Sequence, residues 1–315
     1  MADPMLAHCE SPVFNRVCII GLGLIGSSLA RAIRQAHIAR ELVCYDANGA
    51  VQSRVEELGL TTHVCATLAD AVTNADFIIL CVPVGANAAL AEEIASHLKP
   101  DAILSDVGSV KSSVVAAVSP HVPNGVHFVP AHPVAGTEQS GPDAGFATLF
   151  LGRWCILTPP TGTEKRAIDT TSAFWRACGS NVEIMTPAHH DQVLAITSHI
   201  PHLIAYNIVG TAAHLEEVTQ SEVIKFSAGG FRDFTRIAAS DPTMWRDVFL
   251  NNKEAVLEML GRFTEDLTAL QRMIRYGDGE GLHELFSHTR AIRRSIIALG
   301  QETTAPDFGR RDKPA

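Results

Sequence analysis

The sequence predicts an α/β domain built on a mostly parallel sheet, followed by an all-α domain. Three observations predict it. Short β-branched or apolar runs alternate with helical patterns from about residue 13 to 186. Those runs are apolar on both faces, as strands covered by helices on both sides must be. From about residue 187 the apolar residues recur at helical spacing, with no strand pattern among them.

Taken in order, RVCIIG (16–21) predicts a first strand and residues 24–36 a first helix. ELVCYD (41–46) and VQSRVEELG (51–59) predict the next strand and helix. ADFIILCVP (75–83), a helix at 87–98, AILSDVG (102–108) and a helix at 111–118 continue the alternation. HFVPAH (127–132), RWCILTP (153–159) and NVEIM (181–185) complete the strands. In the second half, residues 187–210 are apolar around much of the helix circumference, which predicts a deeply buried helix shared between two copies. Helical patterns at 245–275 and 281–299 follow. The expected domains are 13–186 and 187–300, with polar, flexible tails at 1–12 and 301–315.

Composition narrows the function classes. The chain has 315 residues, 46% of them hydrophobic, enough for two cores. A formal charge of −9 argues against a nucleic-acid partner, which needs a basic field. The seven cysteines are scattered and form no CxxC pair, which predicts buried, reduced thiols in a cytoplasmic protein. The start, MADPMLAHCESP, has no basic segment leading into an apolar one, and no apolar run is expected to span a bilayer.

GLGLIG runs from Gly21 through Gly23, Leu24 and Ile25 to Gly26 and fits GxGxxG. The motif alone is weak. Here it follows a strand, opens a helix, and is followed 20 residues after Gly26 by Asp46 at the next strand's end. That context predicts a Rossmann-type dinucleotide site. Gly21 permits the tight turn, Gly23 lets the backbone approach a pyrophosphate, and Gly26 lets helix and sheet pack closely. Asp46 would accept hydrogen bonds from ribose hydroxyls and repel a 2′-phosphate, so NAD is expected over NADP. Pro83, in CVPVGA after a later strand, lies where a cofactor would pass; it also reads as an ordinary strand stop.

LSDVGSVK (104–111) places Asp106, Ser109 and Lys111 at a strand end and helix start. Ser109 also reads as a helix cap. The next strand end carries His132, and ligands in open parallel sheets bind at such ends. A neutral imidazole there could accept the proton lost when an alcohol is oxidised. SHIPH offers His199 and His202 on one helix face, but no third ligand has metal-site spacing, so no metal is expected. GGFRDFTRIAASDPTMWRD (229–247) is dense in Arg232, Asp233, Arg236, Arg246 and Asp247. It reads either as a salt-bridged surface or as a carboxylate clamp built on arginine's planar fork.

GLGLIGSSLA, SDVGSVK, HPVAGTEQSG, SHIPH and GGFRDFTRIAASDPTMWRD occur in this order over about 230 residues. Together they resemble the prephenate/arogenate (cyclohexadienyl) dehydrogenase family of tyrosine biosynthesis. The resemblance implies a Rossmann domain followed by a helical domain that forms a homodimer. It implies NAD-dependent oxidative decarboxylation of prephenate to 4-hydroxyphenylpyruvate, or of arogenate to tyrosine. On this resemblance His132 is the catalytic histidine at the ring hydroxyl, and Ser109 touches the same hydroxyl. Arg236 holds a substrate carboxylate and His202 lines the pocket, with His199 and Trp245 in support. Glu138, next to Thr137, pairs with the arginine and gates the pocket, and Asp233 sits where a partner subunit contributes. Two alternatives stay open. A β-hydroxyacid dehydrogenase or imine reductase would carry a lysine or acid on the first interdomain helix, where this chain has SHIPH. A non-catalytic NAD sensor would bind the cofactor and turn over nothing.

Overall fold

Phe14–Ile20 forms the first strand, β1, in a computed structural model that describes residues 14–219, 225 and 228–298. The expected tails lie outside the described residues. Alternation along β1 sends Val17 and Ile19 into one apolar cluster and Cys18 and Ile20 into another, one on each face of the sheet. The next elements are α1 (Leu24–Gln35), β2 (Ala39–Tyr45), α2 (Gly49–Glu57), β3 (His63–Val64), α3 (Leu68–Val72) and β4 (Phe77–Leu80). Then come α4 (Asn87–Ile94), β5 (Ile103–Asp106), α5 (Ser112–Val118) and β6 (His127–Phe128). These six strands pair in parallel in the order β3-β2-β1-β4-β5-β6. The order reverses between β1 and β4, and the crevice beyond their C-terminal ends is where such sheets bind ligands.

One expectation needs correction. HFVPAH is not a single strand of the parallel sheet. Its first residues form β6, and its last form β7 (Ala131–Pro133), the first strand of a second sheet. Pro130 separates them, because proline has no N–H to continue a ladder. β7 runs antiparallel to β8 (Trp154–Leu157), which runs parallel to β9 (Asn181–Ile184). His132 therefore lies beyond the end of β6, opposite Ile156, and not at the end of a strand in the main sheet. Between β8 and β9 the chain also forms α6 (Lys165–Ala177), for which the sequence reading names no element. Its buried face, Ala167, Thr171, Phe174 and Trp175, packs on β1 and β4, with Phe174 stacked on Phe77 at 4.7 Å.

The second half begins with α7 (Pro187–Leu194), capped by Thr186, and passes through a π turn (Ala195–His199) into α8 (Ile200–Thr219). The π turn lies next to Pro201, which cannot donate to the turn before it. After α9 (Gly229–Thr235) come α10 (Pro242–Asn251), α11 (Lys253–Tyr276) and α12 (Gly279–Ala298). The run Pro187–His214 contains an 18-residue window of mean hydropathy 1.3 and is long and apolar enough to cross a membrane, contrary to the sequence expectation. The turn does not interrupt it as a helix, so its length counts whole. Ile196, Ile208 and Val209 on it are exposed within one chain, as are Leu257, Leu267, Ile274 and Phe286 on the last two helices. The expectation of deep burial for 187–210 is thus met only in part by the chain's own contacts.

Candidate active site

The crevice starts with backbone geometry. Gly21 has φ +93°, and a Cβ there would sit 2.4 Å from the Cys81 carbonyl oxygen, so the loops after β1 and β4 touch. A Cβ on Gly26 would sit 2.0 Å from the Gly21 carbonyl oxygen. Gly23 differs: nothing lies within 4 Å of a Cβ built on it. The first two glycines are required by the fold, whereas Gly23 faces open space. It is also the N-cap of α1 and leaves the first N–H groups without a side-chain cap. Leu24 and Ile25 are half-buried behind it, and Pro83 is exposed across the crevice. Asp46 accepts hydrogen bonds from the N–H groups of Leu22 (2.7 Å) and Asn48 (2.9 Å), which ties the end of β2 to the glycine loop. A loop that is open at Gly23, a helix with free N–H groups and an acid beside them fit a dinucleotide pyrophosphate and ribose.

Beyond β5 the chain places a buried cation. Lys111 is fully buried and donates to Asp106 Oδ2 (2.6 Å) and to the carbonyl of Ala131 (2.7 Å). It thereby fastens the residue before His132 to the end of β5. Ser109 is half-buried in the same turn. It is not the cap of α5, whose first N–H groups are held by a residue from the helical half. Asp191 Oδ1 accepts from Lys111 N–H and Oδ2 from Ser112 N–H, both at 2.8 Å.

From Asp191 a chain of rings leads to His132. His190 Nδ1 lies 2.8 Å from Asp191 Oδ1, and His190 Nε2 lies 2.8 Å from His132 Nδ1. Asn252 Nδ2 donates to the Asp191 carbonyl (2.9 Å) and faces His199 Nδ1 at 3.1 Å. Burial pushes His132 well below the ordinary histidine range, and His190, Lys111 and His199 act in the same direction. Burial lowers His190 too, against its bond to Asp191, and lowers His199 to about 4. Burial works against the Asp191 carboxylate, but bonds from His190, Ser112 and Lys111 hold it below its usual range. The cluster is a set of neutral imidazoles around one fixed anion. Among the described residues, no group of three or more His, Cys, Asp or Glu is placed to hold a metal ion.

The helical half closes the site. His202 stacks flat on Trp245, with ring centroids 3.6 Å apart, and its Nδ1 donates to the Ser198 carbonyl at 2.9 Å. Trp245 packs with Val110 and Val248, which brings α10 against the turn that carries Ser109. Burial lowers His202, and the nearby Arg236 adds to this. Arg236 donates to Glu138 Oε2 at 3.0 Å, both side chains about one-third exposed. Thr137, half-buried beside Glu138, accepts from Gln139 N–H. The strand and loop after His132 are fixed from behind, where Arg31 donates to the Gly145 carbonyl and Arg54 pairs with Asp143 at 2.7 Å. Asp233, by contrast, is an exposed residue on α9 beside Arg232, and the chain does not bring it to the histidine cluster.

The nucleotide-binding domain of prephenate dehydrogenase matches residues 29–184, and its dimerization domain matches residues 186–288. The chain belongs to the prephenate dehydrogenase family. It is an oxidoreductase with a Rossmann-type domain followed by a helical dimerisation domain. A cyclohexadienyl dehydrogenase of Zymomonas mobilis is 43% identical over 284 residues, 90% of this chain and 97% of that protein. The Aquifex aeolicus prephenate dehydrogenase solved with hydroxyphenyl propionate and NAD+ superposes with a TM-score of 0.84. It is 34% identical and covers 90% of this chain and 98% of its own. A Synechocystis arogenate dehydrogenase, 26% identical, has a TM-score of 0.75 and covers 89% of this chain and 99% of its own. These matches do not support the β-hydroxyacid dehydrogenase or imine reductase alternative.

The fold links His132, Ser109, His199, His202, Trp245, Arg236 and Glu138 through contiguous contacts, and adds His190, Asp191 and Asn252, which the sequence reading does not name. The signal for the first two was present: HHD inside an apolar helix is an odd place for three polar residues in a row. Asn252 gave none, since it joins two helices whose relative placement only the fold reveals.

Proposed function

We propose that the protein catalyses the NAD-dependent oxidative decarboxylation of prephenate, arogenate or both, within a dinucleotide domain at 13–186 and a helical domain at 187–300. The observation that carries this reading is His132, a buried neutral imidazole beyond the C-terminal edge of the parallel sheet, joined by His190 and Asp191 to the helical half that carries Arg236. NAD+, when bound, supplies the hydride acceptor; Gly21, Gly23, Leu24, Ile25, Gly26, Asp46 and Pro83 would hold it. Asp46, already tied to the glycine loop, favours NAD over NADP because its charge opposes a 2′-phosphate.

His132 takes the proton from the ring hydroxyl as the carbon beneath it is oxidised, and Ser109 orients the same hydroxyl. The ring carboxylate then leaves as CO2, with aromatisation as the driving force. Arg236 anchors a substrate carboxylate while keeping Glu138 as its partner, since the guanidinium has donors for more than one carboxylate. His202, His199, Thr137 and Trp245 shape the pocket wall. Asp233 acts toward the site of a partner subunit.

The Glu138–Arg236 contact supports acceptance of both substrates. Prephenate and arogenate differ by a keto group against an ammonium, and an acid engaged with arginine does not select the ammonium. A homodimer through the helical half is supported by the family's dimerization domain and by the apolar residues exposed on those helices. The reading includes a small-molecule substrate, a cytoplasmic setting, and neither membrane nor nucleic acid as partner. The six described cysteines, all free, agree with a reducing compartment. The test is NADH formation from NAD+ with each substrate. Turnover of both, with kcat/KM values within about tenfold, supports the reading; turnover of neither overturns it.

A further inference from the structure

The chain of contacts behind His132 has a direction. A carboxylate only accepts, so the proton between Asp191 Oδ1 and His190 Nδ1 belongs to the histidine. A neutral His190 then has a bare Nε2, which can only accept. The proton in the next contact, 2.8 Å long, must therefore sit on His132 Nδ1. That leaves His132 Nε2 without a proton. The reverse assignment fails on the same distances. If His190 Nε2 carried the proton, its bare Nδ1 would face Asp191 Oδ1 at 2.8 Å, two acceptors in contact with nothing between them. A doubly protonated His190 would solve this only by placing a charge where burial opposes it.

We propose that His190 and Asp191 are the positioning pair for His132: they hold its ring as the Nδ1–H tautomer and present Nε2 as the bare proton acceptor. The pair comes from the helical half, whereas the base it orients comes from the nucleotide half. The inference rests on the reading of His132 as the base. When substrate is oxidised, the hydroxyl O–H bond breaks and an Nε2–H bond forms. His132 is then an imidazolium, and its Nδ1–H still points at the lone pair of His190, with the Asp191 carboxylate behind it. Lys111 and the neutral His199 also face this ring; the Lys111 charge repels the new one, and Asp106 offsets Lys111. The acceptor chain through His190 is the arrangement's compensating element. Asp191 is suited to this task because it cannot turn. Its Oδ1 and Oδ2 are held by Lys111 and Ser112 N–H, and its carbonyl by Asn252.

The experiment uses the full-length protein. Histidine 15N spectra of the resting enzyme, with the His132 signals assigned by their loss in His132→Asn, read the tautomer directly. A protonated Nδ1 and a bare Nε2 are expected; an Nε2–H tautomer overturns the proposal. Kinetics provide the second measurement. His190→Ala should lower kcat by about 10²- to 10⁴-fold, the size of effect seen when a catalytic histidine loses its orienting group, with KM changed less than about threefold. His190→Gln, whose amide oxygen can still accept from Nδ1–H, should recover at least about tenfold of that loss. If His190→Ala, folded, keeps kcat within about threefold, or Gln recovers nothing over Ala, the pair does not position the base. Full activity in His132→Asn would instead sink the base assignment, leaving the tautomer result to stand on its own.

Discussion

The carboxylate of Asp191 holds the backbone N–H of Lys111 at 2.8 Å from across the boundary between the two halves of the chain. With Ser112 N–H on its other oxygen, this caps α5, which has no side-chain cap from its own N-cap residue. Asp191→Ala should therefore destabilise the protein as well as its site. Two capping hydrogen bonds of α5 and the partner of a buried histidine are lost, about 2–4 kcal/mol in all. Urea unfolding should show the midpoint moving down; an unchanged midpoint would mean that water replaces the carboxylate at no cost.

His132→Asn should lower kcat sharply and leave KM nearly unchanged, because an amide can fill the space and hydrogen-bond but cannot take a proton. A loss of about 10²- to 10⁴-fold is expected from general-base removal. Near wild-type turnover would assign the proton to another group.

Arg236→Gln should act on KM. Loss of a charge-assisted contact to a carboxylate is worth about 1.5–3 kcal/mol, so a rise of roughly 10- to 100-fold is expected, with kcat reduced much less. Glu138→Gln should move the other way or stay level, since it releases Arg236 from its resting partner. Equal KM values for wild type and Arg236→Gln would remove the clamp.

The three glycines of the loop should separate by mechanism. Gly21→Ala and Gly26→Ala insert a Cβ within 2.4 and 2.0 Å of carbonyl oxygens, so both should unfold or distort the domain. Gly23→Ala meets no atom within 4 Å and should melt within a few degrees of wild type. It should nevertheless weaken NAD+ by at least about tenfold, because the methyl occupies the space a pyrophosphate needs. Calorimetric titration alongside melting would check this; tight NAD+ binding in Gly23→Ala would show that the loop does not hold the phosphates.

Stability should fall on the acid side of neutrality. His132, His190, His199 and His202 are all held below the ordinary histidine value by burial, with His199 near 4. Their unfolded forms bind protons from about pH 6.5 downward, before the folded forms do. The unfolded state then carries more protons, so stability is full above that pH and declines as pH drops toward 4. Asp191, held low in the fold, adds to the loss in the same direction at lower pH. A melting temperature that stays flat from pH 7 to pH 4.5 would contradict the buried, neutral histidines.

Much of this was legible in the sequence, and for identifiable reasons. GLGLIG, Asp46 and the strands around them are local: period, turn chemistry and spacing specify them without knowledge of what packs where. Arg236 and Glu138 were paired only through the resemblance, because 98 residues separate them. The second sheet was missed because Pro130 divides a run that reads as one strand. α6 went unnamed because its exposed face is charged and its buried face includes Thr171 and Ser172, which interrupt the apolar stripe. His190, Asp191 and Asn252 became visible only with the two halves assembled, since each gains its meaning from a partner on another element.

The π turn at Ala195–His199 acts as a phase shift in an otherwise regular helix. It winds one extra residue into the turn, so everything from Ile200 onward is rotated by about 100° relative to a straight continuation of α7. Upstream of it, His190 and Asp191 point toward the nucleotide half; downstream, His202 meets Trp245 and Tyr206 reaches the Ser240 carbonyl. A single-residue deletion here would leave the composition of the helix almost unchanged and turn its second half away from the site. The spacing between the two groups of side chains is therefore counted in helical phase as well as in residues, and the turn sets the count.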